Sequence, residues 1–238
     1  QKGWKSAGVP GTVAGLSSAH KKYGKLGWEE VLAPAIELAE NGFLLDYKSA
    51  DAINYYNKEF SSIPSSKKIF TDNGEHLKEN ELFIQKDLAS TLRKISDNGA
   101  EAFYSGEIAD LFIKQSELNG GIFTKKDFQL YKTIERRPLK SQYKNYGILS
   151  VGPPSSGGIA IAQTLNVLEN FNLEKSDWGS SHYIHILTEI FKRVYSDRSK
   201  HLGDSDFYSV PLEYLTSKKY GKKIFEEIAD MVKPSALI

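Results

Sequence analysis

The sequence predicts an α/β fold in its α+β form, a helix-rich chain in which one β-hairpin is followed by a core helix. Three observations predict it. Gly147–Val151 (GILSV) reads as a buried strand. Gly152-Pro153-Pro154 then turns the chain, because two prolines withhold backbone donors and bias their predecessors away from helix. Beyond it, Ser155 and Ser156 are N-cap types and Gly157-Gly158 allow close backbone approach. Ile161, Leu165 and Leu168 follow at i, i+4 and i+7, the mark of a buried helical stripe.

In chain order, Ala7–Val9 reads as a strand end and Pro10-Gly11 as a turn. Thr12 caps a helix to about Tyr23, with Gly24 as a left-handed stop. The glycines of Ser6–Gly15 resemble a phosphate cradle, but no P-loop lysine and no G-x-G-x-x-G accompany them, so a structural turn is favoured. Trp28–Asn41 reads as two short helices divided at Pro34, with Ala35, Leu38 and Ala39 inward. Asn41-Gly42 ends the second, and Phe43 folds back on its last turn. Asp46–Phe60 is helical. Ser61–Asn80 is an exposed connection with a strand-like fragment at Lys68–Phe70.

Gln85–Asn98 is an amphipathic helix with Leu88, Leu92 and Ile95 on one side and Gly99 as stop. Glu101–Tyr104 and Glu107–Leu118 continue the series, and Asn119-Gly120-Gly121 turns. Thr124 to Asp127 fits a T-x-x-D capping box. Lys132–Tyr143 and Tyr146–Val151 form the hairpin, its first arm edge-like or broken at Pro138. Ser180–His201 is a long helix with Ile184, Leu187, Phe191 and Val194 on one side. Pro211 starts a short helix, Lys218–Met231 is the last one with Tyr220, Ile224 and Ile228 inward, and Pro234-Ser235 closes in coil.

Composition narrows the function. Of 238 residues, 31 are basic and 30 acidic, a net charge of +1 that gives no reason to invoke nucleic acid or a membrane surface. No apolar run approaches the roughly 20 residues needed to span a bilayer. The absence of cysteine excludes disulfides, thiolate catalysis and Cys-ligated zinc. The opening QKGWKSAG is not a signal peptide, and its abrupt start implies a chain that begins partway through something larger.

Four constellations could carry chemistry. Gly157-Gly158 could donate two N–H groups to an anion, although spacing alone favours close packing of helix on sheet. His182, His185 and Glu189 share a helical face, but H-x-x-H-x-x-x-E lacks the acid between the histidines that H-E-x-x-H supplies. A hydrogen-bonded histidine beside a core helix is the default there. Asp197 to Asp206 lacks the regular oxygen spacing of a calcium loop, so a turn with Asp197 or Arg198 in a local ion pair is favoured. No G-x-S-x-G elbow places Ser155 or Ser156 in a serine triad.

The order of motifs resembles the gamma-glutamyltranspeptidase family. The matching stretches are GVPGTVAGL at Gly8–Leu16, YGKLGWEEVLAPAIELAENGF at Tyr23–Phe43 and FYSGEIA at Phe103–Ala109. They continue with GGIFTKKDFQLY at Gly120–Tyr131, YGILSVGPPSSGGIAIAQTLNVLENF at Tyr146–Phe171, YSDRSKHLGDSDF at Tyr195–Phe207 and VPLEYLTSKKY at Val210–Tyr220. The resemblance implies a helix-rich part of an N-terminal-nucleophile hydrolase αββα sandwich. Residues 1–238 would be a single, incomplete large-subunit domain, lacking an N-terminal segment and the whole small subunit.

What else it implies is specific. A precursor cuts itself in two, and the new N-terminal threonine of the small subunit attacks a γ-glutamyl amide with its own amine as base. Backbone N–H groups hold the oxyanion. The substrate would be glutathione or a related γ-glutamyl compound, with no metal or cofactor. That threonine is expected beyond Ile238, and the substrate-clamping arginine before Gln1. The oxyanion glycines belong to the small subunit, so Gly157-Gly158 do not inherit that role, and Thr12 and Thr216 match structural positions. No catalytic residue is carried over. Pro153, Pro154, Ser155, Ser156, Gly157 and Gly158 are expected to border the substrate cleft. The expected partner is the small catalytic subunit, with self-association of the chain without it, and the expected compartment is periplasmic or extracellular. Two alternatives stay open: a related β-lactam side-chain acylase, and a non-catalytic binding or scaffold module.

Overall fold

A computed structural model describes residues 3–173, 177–228 and 232–237. Gln1, Met231 and Ile238, on which expectations fell, lie outside the described residues. Backbone contacts divide the chain into two compact units, residues 1–134 and 135–238.

The first unit is helical. Helix α1 (Thr12–Tyr23) begins after Gly11, and Thr12 is its first residue rather than its cap. Residues 7–10 have no strand partner among the described residues; Val9 instead packs against the core. Gly24 ends α1 with extended backbone, φ −64° and ψ 144°, not left-handed as expected. It is needed for room, since a Cβ would lie 2.6 Å from the His20 carbonyl oxygen.

Helix α2 (Trp28–Asn41) is continuous through Pro34, against the expected division into two. An interior proline costs about 3 kcal/mol. Packing along a partner helix offsets that cost, with Leu32, Ile36 and Ala39 turned inward while Ala35 and Leu38 are exposed. Gly42 (φ 80°) closes the helix. Strand β1 (Phe43–Leu44) follows, so Phe43 pairs with Phe83 rather than folding back.

Helix α3 (Tyr47–Tyr55) is capped by Asp46, whose carboxylate accepts from the Ser49 N–H. After α4 (Asn57–Ser61) comes α5 (Pro64–Phe70), where a polar connection with a strand-like fragment was expected. Proline at the first turn is pre-set for helix. Phe70 stacks on Phe60 and Phe83, at 4.7 and 6.2 Å, which fixes the helix against the sheet. Strand β2 (Leu82–Phe83) pairs antiparallel with β1.

Helix α6 (Lys86–Asn98) is the partner of α2. It turns Ala89, Leu92 and Ile95 inward and leaves Leu88 exposed. The Trp28 indole N–H donates to the Ile95 carbonyl at 3.0 Å, and Arg93 pairs with Glu40. Helices α7 (Glu101–Tyr104), α8 (Glu107–Leu118) and α9 (Lys125–Gln129) surround an aromatic core of Phe103, Phe112, Phe123 and Phe128. The capping box is present: the Asp127 N–H donates to Thr124 Oγ1, and the Thr124 N–H to Asp127.

The second unit is built on the hairpin. Strand β3 (Leu139–Tyr143) starts only after Pro138, and β4 (Tyr146–Ser150) pairs with it from Tyr143↔Tyr146 to Leu139↔Ser150. Helix α10 (Gly157–Leu168) covers one face of the hairpin. Leu149 and Val151 are exposed, so this stretch is not the buried strand expected: the helix covers one face of the hairpin and leaves the other open. Helix α11 (Ser181–His201) is capped by Ser180, whose Oγ accepts from the Tyr183 N–H. Helix α12 (Leu212–Leu215) follows Pro211, and α13 (Lys218–Glu227) lies on α10 with Ile224 buried. A 3₁₀ turn, Ser235–Leu237, replaces the expected coil.

Two stripes fall partly elsewhere than expected. On α10 Leu168 is buried and Leu165 half-buried as expected, but Ile161 is 48% exposed and Ile159, Ala162, Gln163, Asn166 and Val167 are buried instead. On α11 the buried apolar residues are Ile186, Ile190 and Val194, and Ile184 and Phe191 face out. Both helices carry apolar residues on more than one side, so periodicity alone does not select the inner face.

Gly221 shows how closely α13 sits on α10. A Cβ there would meet the Asn166 Cβ at 2.7 Å and its backbone carbon at 2.9 Å. Gly221→Ala is therefore expected to lower stability by about 1–3 kcal/mol, the cost of overpacking, read as a reduced urea midpoint with unchanged slope.

Candidate functional site

The loop from Gly152 to Gly158 joins β4 to α10, and its groups can be followed one by one. Gly152 is buried and Pro154 exposed, and the peptide between Pro153 and Pro154 is cis. The Ser155 N–H donates to the Gly152 carbonyl at 3.2 Å, closing a turn. Ser155 Oγ accepts from the Gly157 N–H at 3.3 Å. Ser156 is the N-cap by position, but its side chain does not cap; its Oγ accepts from Arg198 Nε at 3.1 Å. Gly158 is pressed against the strand end, where a Cβ would lie 2.1 Å from the Val151 carbonyl oxygen. The glycine therefore serves close packing of helix on sheet, the reading that spacing favoured. The structure thus brings Ser155 and Ser156 to the head of α10 and ties both hydroxyls into the local frame.

Behind this loop lies a buried polar cluster. Asp197 accepts from Gln163 Nε2 at 2.8 Å and from the Tyr220 hydroxyl at 2.8 and 3.0 Å. These bonds pin α11 and α13 to α10, and they replace the local ion pair expected for Asp197. Burial, together with the neighbouring Asp197 carboxylate, pushes the Tyr220 phenol above its usual range. Arg136 forms an ion pair in this region, donating to both oxygens of Asp206, at 2.9 and 2.7 Å. Nothing local announces these partners, since 70 positions separate Arg136 from Asp206.

The histidine face of α11 is resolved differently. His182 is exposed, His185 half-buried and Glu189 buried. Glu189 accepts from Lys192 Nζ at 2.6 Å, from Arg193 Nη1 at 2.9 Å and from the Lys233 N–H at 3.3 Å. An i, i+4 Glu–Arg spacing was the signal that could have found this pair. No group of three or more His, Asp or Glu side chains that could hold a metal ion occurs among the described residues.

Burial pushes the Glu189 carboxyl up, but hydrogen bonds from Lys192 and Arg193 outweigh it and bring its pKa down to about 2 from the ordinary 4.5. A group held lower in the folded state stabilises above its unfolded value and loses that contribution as pH falls. Stability from Glu189 is thus expected to be complete above pH 4.5 and to fade toward pH 2. Thermal melts of the wild type and Glu189→Gln at pH 6 and pH 3 check this: the gap between them should narrow at pH 3.

Residues 1–236 match the family model described as Gamma-glutamyltranspeptidase, and the chain belongs to that family. It is 43% identical over 235 residues to the glutathione hydrolase proenzyme of Escherichia coli strain K12, covering 98% of this chain and 40% of that protein. It superposes on the crystal structure of Helicobacter pylori gamma-glutamyltranspeptidase with a TM-score of 0.96 and 44% identity, over all of this chain and 69% of that one. An acylase ACY 1 proenzyme from Pseudomonas sp. strain V22 is 33% identical over 92% of this chain. The chain thus spans about 40% of the length of the curated relatives it matches. Among the described residues no helix is long and apolar enough to cross a membrane.

Proposed function

We propose that residues 1–238 are most of the large subunit of a γ-glutamyl hydrolase/transferase whose substrate is glutathione or a related γ-glutamyl compound. The observation that carries this is the superposition on a gamma-glutamyltranspeptidase over the whole chain. The state of this chain's own groups agrees with it. The serine hydroxyls at α10 are engaged in structural hydrogen bonds, and the Asp197 carboxylate is committed to Tyr220 and Gln163. A nucleophile from another segment, an N-terminal threonine beyond Ile238, supplies what these residues lack.

On this reading both units belong to one large-subunit domain. The exposed face of the hairpin, bearing Leu149 and Val151, is where the second sheet of an αββα sandwich packs. The small subunit from the same precursor is the partner, and the chain self-associates without it. Pro153 to Gly158 border the substrate cleft, and the compartment is periplasmic or extracellular. Purified 1–238 is expected to release no product from a γ-glutamyl anilide, while the matured full-length protein turns it over; turnover by 1–238 alone would refute the reading. The acylase relative favours a second reading, an acylase, for which a β-lactam side-chain amide is the substrate to try. Comparing kcat/KM of the matured protein on a γ-glutamyl anilide and on a side-chain amide of a cephalosporin separates the two.

A further inference from the structure

A groove of about 440 Å³ lies within the first unit, between α1, α7 and the chain that leaves α9. That volume falls in the range of small-molecule sites, about 300–1,000 Å³. Two tyrosines line it, Tyr104 and Tyr131, stacked with ring centroids 5.4 Å apart and planes 5° from parallel. Tyr104 is held by its hydroxyl, which donates to the Pro10 carbonyl at 2.7 Å and accepts from the Ala14 N–H at 3.1 Å. Tyr131 reaches over Gly11, where a Cβ would lie 2.0 Å from the Tyr131 hydroxyl. This wall is therefore rigid.

Beside it stands a hydroxyl without a partner. Ser17, on α1, is only 6% exposed and lines the groove. A helical serine at such depth can bond back to the carbonyl four residues earlier. Ser17 makes no side-chain hydrogen bond among the described residues. A buried hydroxyl in that state is costly unless a group from outside the chain bonds to it. The surrounding charges select that group. Lys21 and Lys132 line the same groove, and neither forms an ion pair among the described residues. Glu101 lines it as well; its Oε2 accepts from Ser105 Oγ at 3.3 Å, and its other oxygen takes no hydrogen bond among the described residues.

Two ammonium groups and one carboxylate around a hydroxyl are the complement of a ligand with two carboxylates and one ammonium. We propose that this groove binds a small acidic amino acid. Its carboxylates pair with Lys21 and Lys132, one of them also accepting from Ser17, and its ammonium pairs with Glu101. A plain dicarboxylate fits less well, because it would set a second acid against Glu101 without a cation between them. The inference goes beyond the large-subunit reading and does not depend on it, since it uses only the charge pattern and the unpaired hydroxyl of this groove.

The test is amine footprinting of the full-length protein. Lys21 and Lys132 are acetylated with and without L-glutamate and read by peptide mass spectrometry. Each is normalised to the exposed Lys48 in the same sample, which corrects for reagent taken up by the ligand. Both are expected to slow about tenfold or more near saturation. Glutarate, which keeps both carboxylates and lacks the ammonium, should need about tenfold more for the same protection. Ser17→Ala should raise the glutamate requirement by about as much. That variant breaks no side-chain bond within the described residues, so its melting temperature should not fall. Unchanged rates at both lysines would overturn the proposal. Slow rates without any ligand would also overturn it, by showing the groove filled with protein. Equal protection by glutarate would overturn the assignment to an amino acid. The readout is modification rather than turnover, so each of these results leaves the large-subunit reading standing.

Discussion

Gly158→Ala is expected to destabilise the protein by about 3 kcal/mol, at the upper end of the usual cost of overpacking. In most helices this substitution would stabilise, because alanine is the better helix former by about 1 kcal/mol. Here the new methyl would stand 2.1 Å from the Val151 carbonyl oxygen and 3.0 Å from Ser150 Oγ. A backbone oxygen cannot rotate away, so α10 must lift from the strand end or the loop must deform. The neighbouring glycine supplies the control: a Cβ at Gly157 meets only Ser155 Oγ, at 3.6 Å. Gly157→Ala should be neutral or slightly stabilising. Urea titrations of the two variants must therefore move in opposite directions, or Gly157 not move at all. Equal losses at both would contradict the packing role assigned to Gly158.

Removing Glu189 has the other large expected effect. Glu189→Ala leaves the Arg193 guanidinium buried, with Glu227 Oε2 3.9 Å from its Nε as its remaining ion-pair partner. Breaking a buried pair from one side costs about 3–5 kcal/mol, because a charge is left uncompensated away from water. At about 2–4 °C per kcal/mol for a chain of this size, the melting temperature should fall by roughly 6–20 °C. Replacing both, Glu189→Ala with Arg193→Met, should recover part of the loss, since the buried guanidinium is then gone and only the less buried Lys192 is left without its carboxylate. A double-mutant cycle reads this directly as a coupling energy. If the double variant were less stable than Glu189→Ala alone, the loss would stem from packing and not from the stranded arginine.

Local chemistry was the legible part of this fold. The capping box at Thr124–Asp127, the glycine stops at Gly42 and Gly99, and the strand–loop–helix unit from Tyr146 onward follow from residue types at fixed offsets. What periodicity could not do was choose between two apolar sides of one helix, as on α10 and α11. The choice depends on which neighbour arrives, and that is settled by tertiary packing. Pro34 misled for the same reason: its local preference for a break is smaller than the packing of α2 along α6. The site was legible only in outline. The Pro-Pro-Ser-Ser-Gly-Gly loop stood out, but its Arg198 partner lies 42 positions from Ser156, and the Gln163–Asp197–Tyr220 cluster draws on three separate helices.

At the centre stands the claim that these two units are a scaffold for chemistry carried by another stretch of the same precursor. Intact mass spectrometry of the full-length protein, taken at expression and again after incubation, tests it most directly. Two fragments whose masses sum to the precursor plus one water, the smaller beginning with threonine, are the predicted result. A single uncut chain that nonetheless hydrolyses γ-glutamyl amides would contradict it.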